Sequence, residues 1–480
     1  MDNLQNIIGL ILAILYWLLT AAVTLRVVTQ RRPVSVTLAW LLVIYILPLL
    51  GVILYLLIGE LNLGRTRAAR AQAMVEPYLD NLNLRFGSNH IPHPGGQIAY
   101  AVHQLLATRV GIGALGYSRM EILDSPSQIF ERMLDDIRNA QQSIRIESYI
   151  WHPRGRINQV SEELIAASQR GVRVSLLIDH AGSRRFFRSA WRKRMVAAGI
   201  EVVPALPVRL MRALIHRIDL RLHRKLLIVD DQIAYTGSMN MADPLYFKKG
   251  SRSGQWVDVM LRLDGQAAAG LAKVFSWDWE VETGQRHLPE LYSAPEACDK
   301  WLSVIPSGPG VGEDLIGQAV LSSIYRANHS ITISTPYFVP SEAIFDALCQ
   351  AAKRGVCVRI LLPRRNDSLM VRWASRSYYQ LLLEAGVQIL QFDGGLLHVK
   401  AMLMDEELAL VGSVNLDIRS LQLNFELTVA LFDKSGCLRI SALLERYAAQ
   451  CEPLELERWQ QRSKLSRVIE RMMFFMSPLL

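Results

Sequence analysis

The stretch HRKLLIVDDQIAYTGSMN at residues 223–240 decides how this chain reads, because a second copy, HVKAMLMDEELALVGSVN, follows at residues 398–415. Six residue types recur at the same offsets: His223 and His398, Lys225 and Lys400, Asp230 and Asp405, Gly237 and Gly412, Ser238 and Ser413, Asn240 and Asn415. Each pair is separated by 175 positions. Within a copy, His223 and Lys225 stand two apart at the head of the apolar run 226–229, so on a strand the imidazole and ammonium share a face. Asp230 and Asp231 supply a turn, and 232–236 reads as the returning strand. Gly237 lets the backbone come close to a ligand, and Ser238 and Asn240 again alternate onto one face. A lone histidine is more often a core residue than a catalyst. Two copies that keep six residue types at fixed spacing argue for a site. Face to face, they place two imidazoles and two ammonium groups around one cavity. That set suits in-line displacement at a phosphodiester, one imidazole attacking phosphorus and the other protonating the leaving oxygen. Cations and amides then neutralise the equatorial oxygens. This chemistry calls for no metal ion and no cofactor.

The motif HxKxxxxD followed after six residues by GSxN, present twice, resembles the phospholipase D superfamily. Two copies behind two apolar runs resemble the bacterial cardiolipin synthases with two N-terminal spans. The resemblance covers essentially the whole chain. It implies an α/β fold in which two similar repeats form a pseudo-twofold phospholipase D-like body behind a two-helix transmembrane hairpin. It also implies phosphatidyl transfer between two phosphatidylglycerol molecules through a phosphatidyl-histidine. The implied site residues are His223, Lys225, Asp230, His398, Lys400 and Asp405, with Ser238, Asn240, Ser413 and Asn415 around the phosphate. The superfamily's pattern further suggests that Asp258 (in WVDV) and Glu426 (in NFEL) each hold a catalytic imidazole by its second nitrogen. The other reading of these two carboxylates is a charged strand residue facing water.

Composition agrees with a membrane-bound enzyme on anionic lipid. The 480 residues suffice for two domains, and the net charge of +9 favours an anionic partner, nucleic acid or lipid. Two uncharged runs, 4–25 and 34–58, are each long enough to span a bilayer and make nucleic acid the weaker choice. Two spans place the N-terminus and the body on the same side. Arginines at 26, 31 and 32 against 65, 67 and 70 leave the positive-inside rule nearly tied, and the resemblance implies a cytoplasmic body. The five cysteines (Cys298, Cys349, Cys357, Cys437, Cys451) form no CxxC and read as free thiols.

The expected organisation is 1–62 for the two membrane helices, 63–110 for a connector, 111–290 and 291–450 for the repeats, and 451–480 for a basic amphipathic tail. The connector's GSNHIPHPGG, with His90 and His93, reads as a solvated loop. In each repeat a helix (127–141, 317–328) precedes a strand (143–151, 330–338). A second helix then ends at Gly171 or Gly355 before a buried strand. This alternation implies a mixed sheet covered by helices on both faces.

The repeats differ in two places. A dozen extra residues precede the first motif, within LPVRLMRALIHRIDLRLHR (206–224), whose arginines among apolar residues read as a solvated surface helix or as a segment lying at a lipid interface. Extra residues also follow the first motif, including Tyr246, Phe247, Lys248, Lys249 and Arg252. The tail reads either as a membrane-surface helix or as a helix packed on the second repeat. The competing functions are a hydrolase or nuclease on the same scaffold and a lipid-binding protein with an inactive site. The number of copies that associate is left open.

Overall fold

The computed structural model describes residues 2–30, 34–47, 49–60, 63–64, 66–73, 96–110, 113–208, 217–248, 250, 253–286, 300–310 and 314–476. The loop with His90 and His93, Cys298 and most of the arginine-rich insertion fall outside them. In the first repeat the strands are β1 (Arg119–Leu123), β2 (Ser143–Ser148), β3 (Arg173–Asp179), β4 (Glu201–Ala205), β5 (Leu226–Val229), β6 (Ile233–Gly237) and β7 (Met260–Asp264). The second repeat supplies β8 (Trp301–Ser307), β9 (Ser330–Ser334), β10 (Cys357–Pro363), β11 (Gln388–Phe392), β12 (Ala401–Met404), β13 (Leu408–Gly412) and β14 (Glu426–Leu431).

The sheets run β1-β7-β6-β5-β2-β3-β4 and β8-β14-β13-β12-β9-β10-β11, so each strand has its counterpart seven later. Short edge strands, Leu115–Gly116 and Cys451–Pro453, extend the second sheet at its two sides. In both repeats three strands are parallel (β2, β3, β4; β9, β10, β11) and the rest antiparallel. The mixed sheet follows from the sequence: parallel strands need a crossover helix, whereas the motif's two strands are joined by a two-residue turn. Asp230 and Asp231 have φ of 52° and 56°, Asp405 and Glu406 have 50° and 54°, and in both turns the chain closes with an i→i+3 hydrogen bond. These are type I′ hairpins, whose twist matches that of the strands.

The helices are α1 (Asp2–Thr29), α2 (Val34–Ile46), α3 (Leu50–Leu54), α4 (Gln97–Val110), α5 (Pro126–Asn139), α6 (Arg156–Gln169), α7 (Gln266–Thr283), α8 (Leu315–Arg326), α9 (Glu342–Lys353), α10 (Leu369–Glu384), α11 (Lys434–Ala448) and α12 (Lys464–Met476). Ser125, Ser341, Ser368 and Asp433 cap α5, α9, α10 and α11 through side-chain oxygens. Gly171 and Gly355, at φ of 93° and 92°, follow α6 and α9 where a left-handed residue ends the helix.

Alternate residues of the motif strands enter different cores. Leu226 and Ile228 join Ala401 and Leu403 in one cluster between the two sheets. Leu227 and Val229 face the first repeat's helices, and Met402 and Met404 the second's. The expected helices are therefore present on both faces, several on the outer face and α7 and α11 on the inner one. The inner face of each sheet is closed by the other repeat together with α7 and α11.

The N-terminus departs from a hairpin of two straight spans. Helix α1 is long and apolar enough to cross a bilayer, over Leu4–Thr29. The second run is divided between α2 and α3, and α3 continues as a wider π turn, Tyr55–Gly59. It doubles back, since the rings of Trp40 and Tyr55 meet at 5.3 Å and Arg26 pairs with Glu60 at 2.5 Å. A Cβ at Gly51 would lie 2.4 Å from the Val43 carbonyl oxygen, which only glycine permits.

The tail packs rather than floats. Glu470 of α12 is buried and holds Arg376 of α10 at 2.9 Å and Arg462 at 2.7 Å.

Candidate active site

Two short stretches of extended backbone cross between the repeats and set the site. Leu222 pairs with Phe425 and the amide of His223 donates to the Phe425 carbonyl at 2.8 Å. In the mirror arrangement Leu396–Leu397 runs parallel to Trp256–Val257, and the amide of His398 donates to the Val257 carbonyl at 2.8 Å. Each motif histidine is thus laid beside the strand of the other repeat that carries a carboxylate.

The carboxylates complete the crossing. His223 Nδ1 lies 2.8 Å from Glu426 Oε2, and His398 Nδ1 lies 2.6 Å from Asp258 Oδ1. All four residues are buried. Burial alone would raise both carboxyl groups; instead each one's imidazole, with Lys225 at Glu426 and Lys400 at Asp258, holds it below its ordinary value. Burial pushes His223 down to about 4 against the pull of Glu426, and burial with the Lys400 ammonium takes His398 to about 4. Neutral imidazoles against ionised carboxylates must donate from Nδ1. That leaves each Nε2 with its lone pair.

The lysines share this pocket. Lys225 and Lys400 donate to the carbonyl oxygens of His223 and His398 at 2.5 and 2.6 Å. Burial lowers Lys225 to about 8 and Lys400 well below its usual value. Lys225 and Lys400 each depress both imidazoles, so the four groups lie in one electrostatic neighbourhood.

The remaining motif residues divide by task. Ser238 Oγ donates to Asp258 at 2.7 Å and accepts from the Val259 amide; Ser413 Oγ donates to Glu426 at 2.5 Å and accepts from Leu427. The serines expected around the phosphate therefore steady the carboxylates behind the histidines. Asn415 donates to Ser420, and the Oδ1 atoms of Asn240 and Asn415 are buried without a partner. The aspartates belong to the motif set, but their place at the strand turn suits holding the fold or pairing with a cation better than touching substrate, and they stand elsewhere. Asp230 accepts three backbone amides, from Gln141, Gln142 and Ser143, and Asp405 those of Asn328, His329 and Ser330. They sit at the far end of the motif strand from the histidines, seven residues or roughly 20 Å away. Their task is to pin the start of β2 and β9.

The structure adds residues that the sequence reading passed over. The ring of Tyr149 meets that of His223 edge-on at 5.1 Å, and Trp256 lies 4.2 Å from His398. Trp256 was signalled by its place two before Asp258, on the same strand face. Arg224, between His223 and Lys225, points the other way, is buried, and pairs with Asp278. Beside that pair, burial and then Asp278 raise Glu147 well above the carboxylate range. The counterparts of Glu147 and Arg224 in the second repeat are Ser334 and Val399, so this cluster is one-sided. Of the insertion, Arg217 pairs with Asp219 at 2.6 Å and Arg221 donates to two carbonyls. Arg224 is thus a core residue rather than part of a lipid-facing stripe, and 209–216 lie outside the described residues. Among the described residues no three His, Cys, Asp or Glu side chains cluster as metal ligands, and Cys349, Cys357, Cys437 and Cys451 are free.

Comparison with known proteins agrees with this geometry. A family model described as cardiolipin synthase, PLD-like domain, matches residues 133–279 and 320–451, and a phospholipase D-nuclease N-terminal model matches 13–60. Cardiolipin synthase A of Cronobacter sakazakii is 46% identical over 486 residues, covering 100% of both chains. That of Shigella dysenteriae is 47% identical over 476 residues, covering 98% of both. The crystal structure of phosphatidylserine synthase from Haemophilus influenzae shares the fold at a TM-score of 0.59 and 13% identity, over 80% of this chain and 100% of that one. The chain is a phosphatidyltransferase-type enzyme with a phospholipase D-like body, and it belongs to the cardiolipin synthase family.

Proposed function

We propose that the protein joins two phosphatidylglycerol molecules into cardiolipin and releases glycerol. In this reading the phosphodiester of the first lipid enters between the imidazoles. The Nε2 lone pair of His223 attacks phosphorus, the bond from phosphorus to the headgroup glycerol breaks, and His398 gives that oxygen a proton. A phosphatidyl-histidine remains. The terminal hydroxyl of the second phosphatidylglycerol loses its proton to His398, attacks phosphorus and frees His223. Lys225 and Lys400, with the amides of Asn240 and Asn415, offset charge on the equatorial oxygens. Glu426 and Asp258 fix the tautomers and steady whichever imidazole becomes charged. Entry of the anionic phosphodiester raises the imidazole that must hold a proton, since an opposite charge nearby favours imidazolium.

The observation that carries this reading is the pair of buried, neutral imidazoles, each held at Nδ1 by a carboxylate of the other repeat. Phosphodiester bonds are conserved overall, so the exchange runs without an energy-rich nucleotide. The same reading makes anionic membrane lipid, not nucleic acid, the partner, and sets the body on the cytoplasmic face of a bacterial inner membrane. The test gives purified protein labelled phosphatidylglycerol in detergent–lipid micelles. Cardiolipin and glycerol in equal amounts are expected, and neither from His223→Ala. Phosphatidic acid as the main product would make water the acceptor and overturn the reading.

A further inference from the structure

We infer that the rim of the cleft on the His398 side is a bilayer-docking surface, and that lipid enters the site there. The inference rests on the lipid-transfer reading above and adds where the substrate comes from. Four large apolar side chains stand exposed on two loops from different repeats: Leu245 (58%) and Tyr246 (48%) after the first motif, and Leu369 (66%) and Met370 (51%) at the start of α10. A soluble surface seldom groups such side chains without a partner to cover them.

These loops are tied together and lead inward. Lys248 Nζ meets Asp367 Oδ2 at 2.6 Å, and the other oxygen of Asp367 accepts from Tyr337 at 2.8 Å. Behind the tie, Lys248 lies 5.4 Å from the Trp256 ring, Phe247 packs edge-on against Trp256, and Trp256 lies on His398. The path from apolar rim to imidazole is therefore short and lined by amphipathic rings, which suit a lipid whose headgroup must leave the interface while its chains stay in it.

The occupant follows from charge and attachment. Exposed Lys248, Arg365 and Arg372 border the apolar residues, which matches an anionic lipid surface. The same chain carries α1, a helix long and apolar enough to cross a bilayer. Helix α12 runs antiparallel to α10, with Arg462 beside Gln380 and Glu470 beside Arg376, so its exposed Met472 and Phe474 lie toward the same end of α10 as Leu369.

The full-length chain in nanodiscs of phosphatidylglycerol tests this. Benzoylphenylalanine in place of Met370 should give lipid adducts on illumination. The same group in place of exposed Arg173, at the opposite end of β3 from the site, should give few. No lipid adduct at 370, equal adducts at both positions, or cross-links between protein copies alone would overturn the surface. In a second arm, Leu369→Glu with Met370→Glu should cut turnover of bilayer phosphatidylglycerol about tenfold or more while leaving monomeric short-chain phosphatidylglycerol within about twofold. Equal loss on both lipids, or no loss on either, also overturns it. The adducts do not depend on the reaction. Lipid adducts at 370 in the substituted protein, beside wild-type protein that makes no cardiolipin, would strike the transfer reading and leave the surface standing.

Discussion

Glu426 supports a histidine 203 positions before it, and Asp258 one 140 positions after it. The crossing gives each carboxylate a separate kinetic signature. If His223 is the nucleophile, Glu426→Gln weakens attack on any substrate, whereas Asp258→Asn weakens the proton supply to the leaving group. A phosphodiester with a nitrophenol leaving group needs no proton. On it, Asp258→Asn should approach wild-type rates for the first step while Glu426→Gln stays down by about 100-fold or more, the scale on which a tautomer-fixing carboxylate matters. Burst kinetics of nitrophenol release measure this, and the reverse pattern would exchange the two histidines. On sequence alone these carboxylates have two readings, and nothing local says which imidazole each would meet. That choice depends on backbone pairing between 222 and 425 and between 257 and 398, which no local pattern encodes. The motif aspartates, whose place at the strand turn already favoured holding the fold, were the more legible case. Fixed spacing in two copies marks a repeated structural need as readily as a chemical one, and a hairpin with both turn residues at positive φ is such a need.

Among the elements, the α/β alternation was legible to within a few residues, because caps, glycines and apolar runs are local signals. The expected helix 127–141 is α5, and the strands after Gly171 and Gly355 are β3 and β10. The second apolar run was not legible, because composition alone does not distinguish a straight span from a bent one. Fifteen residues along a straight helix would hold Trp40 and Tyr55 about 22 Å apart, yet their rings touch. Pro48 and Gly51 were the available signs. A run that returns on itself, with a single crossing by α1, would put the N-terminus and the catalytic body on opposite faces. Tags at the N-terminus and after Leu480 should therefore be reached by an impermeant reagent from opposite sides of sealed spheroplasts. Labelling of both from one side would show two full crossings.

Across the whole molecule, the site exists only because the inner faces of the two sheets close on one another, and this closure is also what desolvates the imidazoles. The shared core of Leu226, Ile228, Ala401, Leu403 and their neighbours lies directly beneath the crossed backbones. Stability should therefore be linked to protonation of the catalytic pair. Folded His223 and His398 titrate near 4, and unfolded histidine near 6.5. Between those values the unfolded chain binds protons that the folded one refuses, so the pair costs stability as pH falls through that window. Asp179 and Asp417, raised by burial to about 6, act with the opposite sign, since the folded state holds their protons first. Total stability thus mixes opposing slopes, and the histidine part must be isolated by difference. A His223→Gln, His398→Gln variant lacks the histidine cost, and Glu426 and Asp258, freed of their imidazoles, rise under burial and add to the difference with the same sign. Its denaturation free energy relative to wild type should rise as pH drops from 7 toward 4.5, by about 1.4 kcal/mol per pH unit for each histidine once well below 6.5. Parallel curves for the two proteins, measured by denaturant titration in detergent, would mean that the folded imidazoles are open to water and that the halves do not close as tightly as their packing implies.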